Sequence, residues 1–179
     1  VPSRRRGSVT ARPPIVVVMG VAGSGKSTVG QRVADLLQVP FHEGDVFHPP
    51  ANVAKMTGGT PLDDADRWPW LKAIAAEIDR ARQGGAAMVV ACSALKRAYR
   101  DVLIGARTDV RLAYLRGDRQ VIEQRLGGRR GHFMPPTLLP SQFAALEEPA
   151  PAENPIVVEV TRPPELLAAE IVAKLRGAG

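Results

Sequence analysis

Ile15-Val16-Val17-Val18-Met19-Gly20-Val21-Ala22-Gly23-Ser24-Gly25-Lys26-Ser27-Thr28 carries the clearest fold signal in the chain. Its first five residues are apolar and mostly β-branched and they end in glycine, the pattern of a short buried strand. Gly20–Ser27 then matches G-x-x-x-x-G-K-[ST], and Lys26–Leu37 puts Val29, Val33, Leu36 and Leu37 on one helical face. Between a strand and a helix, this pattern predicts a phosphate-binding loop. Its glycines let successive backbone N–H groups wrap an anion closely, and the helix N-terminus adds its positive end. The expected triphosphate contacts are Gly20, Val21, Ala22, Gly23, Ser24, Gly25, Lys26, Ser27 and Thr28. Lys26 is expected to reach the β- and γ-phosphates and Ser27 to ligate Mg²⁺.

Outward from this loop, apolar runs alternate with helical patterns. Strands are predicted at Val39–Phe41, Ala86–Cys92, Val110–Leu115 and Ile156–Val160. Helices are predicted at Asp66–Arg82, after Ser93 as a cap, at Asp118–Leu126, at Thr137–Leu146 and at Glu165–Leu175. Such alternation with continuous apolar strands predicts an α/β fold of three layers, a five-stranded parallel sheet with helices on both faces. Ligands of these sheets sit at the carboxyl ends of the strands. The polar motifs follow strand ends or lie in the glycine-, arginine- and proline-rich stretch after residue 126, so one composite site is expected.

The chain has 179 residues, enough for one sizeable core. No apolar run is long enough to span a membrane. The single cysteine, Cys92, fits a reducing compartment, and a cytoplasmic location is expected. The net charge of +6 hints at nucleic acid, but Arg4, Arg5, Arg6 and Arg12 lie in the first 14 residues, and without those four the charge falls to +2. Residues 1–14 are therefore expected to be a disordered basic tail, and 15–179 one domain. No nucleic-acid partner is expected.

Glu43-Gly44-Asp45 follows the second predicted strand. Two carboxylates two residues apart opposite a phosphate loop can divide the work. Asp45 can accept the proton of an attacking hydroxyl or bind the metal, and Glu43 can hold a metal-bound water. His48 follows closely and is a candidate hydrogen-bonding partner for a polar substrate. The third predicted strand ends Ala91-Cys92-Ser93 with no acid, a departure from the usual Walker B aspartate. Metal is then expected on Ser27, on the phosphates, and on Glu43 or Asp45.

Longer strings now become recognisable. They are Gly44-Asp45-Val46-Phe47-His48-Pro49 with Asn52 and Lys55-Met56, then Gly59 through Arg67 with Pro69-Trp70-Leu71, and Cys92-Ser93-Ala94-Leu95-Lys96 with Tyr99-Arg100-Asp101. Leu115-Arg116-Gly117-Asp118, Gly131-His132-Phe133-Met134 and Gln142-Phe143 with Leu146-Glu147-Glu148-Pro149 follow. Together with Gly20–Ser27 they make the chain resemble the gluconate kinase family from about Ile15 to its end. The resemblance implies transfer of a phosphoryl group from ATP to D-gluconate with Mg²⁺, a fold like those of adenylate and shikimate kinases with a mobile lid, and a homodimer as a candidate assembly.

A short polyol carrying a carboxylate needs cations at one end and polar groups along its length. The resemblance therefore raises Lys55, Arg67, Ser93, Lys96 and Arg100, besides Asp45 and His48, as substrate contacts. Lys96 and Arg100 are expected to share a helical face. Which cation meets the carboxylate stays open. A lid is expected over about residues 125–137, with Arg129 acting on the transferring group and Arg125 on the nucleotide. Arg116 and Arg162 are expected to flank the adenine. The competing readings are a related kinase for shikimate or a nucleoside monophosphate, a regulatory GTPase, and a nucleic-acid binder. The string from Gly44 to Pro49, the lack of an N-K-x-D signature and the near-neutral body count against them in turn.

Overall fold

The structure is a computed structural model that describes residues 14–127 and 139–177. Residues 1–13 of the expected tail and Arg129 lie outside the described residues. β1 (Ile15–Met19) is buried along its whole length. It pairs in parallel with β3 (Met88–Ala91) on one side and β4 (Val110–Arg116) on the other. β2 (Phe41–Glu43) extends the sheet beyond β3, and β5 (Ile156–Glu159) beyond β4, giving the order β2-β3-β1-β4-β5. All four pairings are parallel, as the apolar strands separated by helices require.

The two-residue period of β1 divides the core. Val16 and Val18 face a layer that includes α1 (Lys26–Leu37) and α7 (Pro164–Gly177), where Val29, Val33, Leu167 and Ile171 are buried. Ile15, Val17 and Met19 face the opposite layer, built from α3 (Asp64–Gln83) and α4 (Arg97–Leu103), around Trp70, Ile74, Ile78 and Tyr99. Each such side chain contributes roughly 1.5–3 kcal/mol through removal of its apolar surface from water. β1 is thereby fixed from both faces, and so is the loop that leaves its carboxyl end. No described helix is long and apolar enough to cross a membrane.

Several boundaries move for identifiable reasons. β2 begins at Phe41 rather than Val39, because the strand is set by pairing Phe41, His42 and Glu43 with Val89, Val90 and Ala91. Glu43 thus stands on the strand itself and Asp45 in the 3₁₀ turn Gly44–Phe47 that follows. A helix the sequence reading did not resolve, α2 (Pro50–Thr57), comes next. Pro49-Pro50 reads as a breaker, but proline suits the first helical turn. α3 starts two residues early. Asp63 caps it by accepting from the Asp66 N–H while the Asp66 carboxylate accepts from the Asp63 N–H. Ser93 caps nothing. The cap position of α4 is Lys96, whose extended backbone takes it off the helix and so off any face shared with Arg100. α5 (Arg119–Gly127) includes Arg125, as the helix predicted over Asp118–Leu126 does, so the lid expected from about residue 125 would start inside a helix. α6 (Leu139–Ala145) buries Leu139 and Gln142.

Candidate active site

The loop after β1 opens a cleft of about 120 Å³ at the carboxyl ends of β1, β2 and β3. Gly25 holds φ of 96°, a conformation that strains any side chain but hydrogen, and it starts α1 with its N–H groups facing the loop. Lys26 lines the cleft and its ammonium donates to the Val21 carbonyl at 3.0 Å. Burial pushes its pKa down, and Asp45, Cys92 and Glu43 counter this. The Ser27 hydroxyl donates to the Glu43 carboxylate. Burial raises the Glu43 pKa, a shift that the Ser27 bond opposes. Ser24 places a buried hydroxyl oxygen in the loop without a hydrogen-bond partner.

The opposite wall comes from β2 and the segment after it. Gly44 permits the approach, because a Cβ there would stand 2.2 Å from the Ala91 carbonyl oxygen. Its own carbonyl accepts from the Trp70 indole N–H at 2.8 Å, locking α3 onto the turn. Asp45 is exposed in the cleft. His48 stacks on Trp70 with ring centroids 4.0 Å apart and an interplanar angle of 16°. Its Nε2 lies 4.0 Å from Asp45 Oδ1. Burial lowers its pKa to about 4, assisted by Arg67 and opposed by Asp45, so the ring is neutral near pH 7. Ser93 lines the cleft as well. Arg67 reaches it from the first turn of α3, with Nη2 donating to the Leu62 carbonyl at 3.3 Å and the guanidinium 5.3 Å above the Tyr99 ring. Its Nε is buried without a partner. An unpaired buried donor costs about 1–3 kcal/mol, and here it sits in a residue that lines the cleft.

The remaining cations expected at the site are engaged elsewhere. Lys55 is held by Asp66 at 2.8 Å, across from α2 to α3. Lys96 pairs with Asp64 at 3.2 Å. Arg100 is a clear correction. Its side chain is 2% exposed, Nε and Nη2 meet Glu153 at 2.6 and 3.3 Å, and Nη1 donates to the carbonyls of Ala94 and Leu95. Four of its five N–H groups are used within the protein, and it does not line the cleft. Arg116 pairs with Glu159 at 2.6 Å, Arg162 with Glu170 at 2.5 Å, and Arg125 donates to the Val160 carbonyl. These three join structural elements and do not line the cleft.

Two site groups went unassigned in the sequence reading. Gln142 of α6 accepts from the Ala22 N–H of the phosphate loop at 2.7 Å, and Asn52 of α2 contacts His48. Both are buried polar residues. Both stand in the strings that carry the family resemblance, but their roles depend on partners distant in the chain.

No cluster of three His, Cys, Asp or Glu residues able to hold a metal occurs among the described residues. Burial pushes the Cys92 thiol up to about 12, so the end of β3 offers no ready anion. The neighbouring Ser27 hydroxyl and Glu43 carboxylate, with Asp45 in the same cleft, are the oxygen donors that could hold a hard cation.

No family model matches the chain. Over 161 residues it is 43% identical to a gluconokinase of Gluconobacter oxydans, covering 90% of each chain. It is 40% identical over 163 residues to the thermoresistant gluconokinase of Escherichia coli, covering 90% of this chain and 93% of that one. The solved gluconokinase of Sinorhizobium meliloti superposes with a TM-score of 0.84 at 43% identity, over 93% of this chain and 94% of the other. The Mycobacterium tuberculosis adenylylsulfate (APS) kinase, at 18% identity and a TM-score of 0.68 over 92% and 98%, shares the fold. With four-tenths of its residues identical along nine-tenths of its length, the chain belongs to the gluconokinase family.

Proposed function

We propose that this protein phosphorylates D-gluconate with ATP, giving 6-phospho-D-gluconate and ADP. The observation that carries the reading is one cleft with two chemically distinct walls. The phosphate loop with Lys26 lines one, and Asp45, His48 and the unpartnered Nε of Arg67 line the other. The family's named relatives supply the substrate.

In this reading the backbone N–H groups of the loop and the Lys26 ammonium bind and orient the β- and γ-phosphates. Arg67 receives the sugar-acid carboxylate, to which a guanidinium can donate parallel hydrogen bonds. Asp45 accepts the proton of the 6-hydroxyl as its oxygen bonds to the γ-phosphorus and the bond to the β-phosphate oxygen breaks. Mg²⁺ would be held by Ser27, by Glu43 through water and by Asp45, and would supply charge neutralisation on the phosphates. Arg129 belongs to the segment expected to close over the nucleotide. Arg116, Arg125 and Arg162 would serve the nucleotide through the N–H groups that their present partners leave open.

ADP release measured across D-gluconate, other aldonates, shikimate and nucleoside monophosphates tests the reading. Gluconate should give the highest kcat/KM. Preference for any other acceptor overturns the substrate.

A further inference from the structure

Asn52 makes two hydrogen bonds through one nitrogen. Its side chain is buried, and Nδ2 donates to the Asp66 carbonyl oxygen at 2.8 Å. A carbonyl oxygen cannot donate, so this bond identifies the atom as the amide nitrogen and fixes which way the side chain faces. The same nitrogen lies 3.2 Å from His48 Nδ1. An amide nitrogen has no lone pair to accept with, so Nδ1 must be the acceptor and must carry no hydrogen. The ring proton therefore sits on Nε2. The stack on Trp70 and the side chain's 3% exposure prevent the ring from turning away.

Nε2–H points to the place where chemistry is expected. It is 4.0 Å from Asp45 Oδ1, too far for a direct hydrogen bond. A single hydroxyl oxygen about 2.8 Å from both atoms fits that gap, with an angle of roughly 90° between its two hydrogen bonds. That hydroxyl would accept from His48 and donate to Asp45, leaving its remaining lone pair for phosphorus. The other tautomer would make Nε2 a second acceptor competing with Asp45 for the same proton. Nδ1–H would also oppose the Asn52 N–H.

We propose that Asn52 is a positioning residue that fixes His48 as the Nε2–H tautomer, so that His48 donates to the accepting hydroxyl and Asp45 alone takes its proton. The assignment rests on the gluconate kinase reading for the identity of that hydroxyl, but the tautomer itself rests only on the hydrogen bonds of Asn52. It also gives α2 a purpose. Asn52 and Lys55 both tie that helix to Asp66, on the first turn of the helix that carries Arg67.

The test is a long-range ¹H–¹⁵N correlation spectrum of the ¹⁵N-labelled protein, with His48 assigned by its loss in His48→Phe. His48 should appear as the Nε2–H tautomer; an Nδ1–H ring or a mixture overturns the proposal. Asn52→Leu should give mixed tautomers and lower kcat with gluconate by about tenfold or more, with KM for ATP unchanged. Wild-type kcat in folded Asn52→Leu overturns the proposal too. Should that variant not fold, His48→Phe decides, since the phenyl ring keeps the stack but has no donor. Its kcat should fall by a similar factor, and an undiminished kcat refutes the role. Wild-type protein with no gluconate turnover overturns the functional reading and the role given to the hydroxyl. Gluconate turnover alongside the wrong tautomer overturns this proposal alone.

Discussion

Two hollows in this molecule are lined by arginines, and they have opposite characters. The cleft at the carboxyl ends of the strands, about 120 Å³, holds Arg67. A second hollow of about 290 Å³, beside the start of β4, holds Arg97, Arg100, Arg107 and Arg111. Size and charge favour the second as a binding site, yet Arg100 is neutralised by Glu153 and bound to two carbonyls, and Arg107 is neutralised by Asp79 and bound to the Val102 carbonyl. The Arg107 guanidinium draws the Asp79 pKa down to about 2. In the cleft, Arg67 keeps an unpaired buried Nε, Ser24 of the adjoining loop an unpaired buried hydroxyl, and Asp45 stays exposed. A counted cation is therefore a poor guide to a site, and a cation with an unsatisfied donor is a better one. The first hollow should govern turnover and the second stability.

Substitutions in each hollow test this contrast. The largest effect is expected for Asp45→Asn, which keeps the shape of the cleft but removes its proton acceptor. kcat should fall by roughly two to four orders of magnitude with the melting temperature nearly unchanged. Turnover close to wild type would remove Asp45 from the chemistry. Arg67→Ala comes next, with KM for gluconate raised about 10- to 100-fold, the worth of one or two charge-assisted hydrogen bonds, and KM for ATP little altered.

Arg100→Met should do the reverse. Breaking a buried pair costs about 3–5 kcal/mol and should lower the melting temperature by roughly 10 °C, while kcat/KM measured below the transition stays near wild type. A selective rise in KM for gluconate in that variant would return Arg100 to the site and erase the contrast. Lys96→Met removes a half-exposed pair and should cost under about 1 kcal/mol with unchanged kinetics.

A further expected outcome concerns pH. The folded pKa of His48, about 4, lies below its ordinary 6.5, so between these values the unfolded chain binds more protons than the folded one. His48 thus contributes a stability that is complete above pH 6.5 and is lost as pH falls to about 4. Denaturant titrations across this range should show a steeper loss for wild type than for His48→Phe. Equal slopes would contradict the buried neutral ring.

The donor half of the site was legible because it is local. Gly20–Ser27 is one unbroken string, and its geometry follows from a strand, a tight loop and a helix start. Asp45 and His48 were legible from a strand end, although the strand began two residues late because pairing with β3 sets its register. α2 was hidden by Pro49-Pro50, and with it the role of Asn52. Gln142 lies 120 residues from the N–H it accepts, so nothing nearby in the chain announces it.

The amino-acid sequence by itself determined that this chain folds as a parallel α/β sheet with a phosphate loop at the end of its first strand, and it listed the charges available nearby. It did not determine which charges are free. Arg100 is neutralised by Glu153, 53 residues on, and Lys96 by Asp64, 32 residues back, while Arg67 of α3 meets no acid at its Nε. Those pairings exist only after the layers pack, because ion pairing falls off within a few ångströms and depends on where distant segments meet.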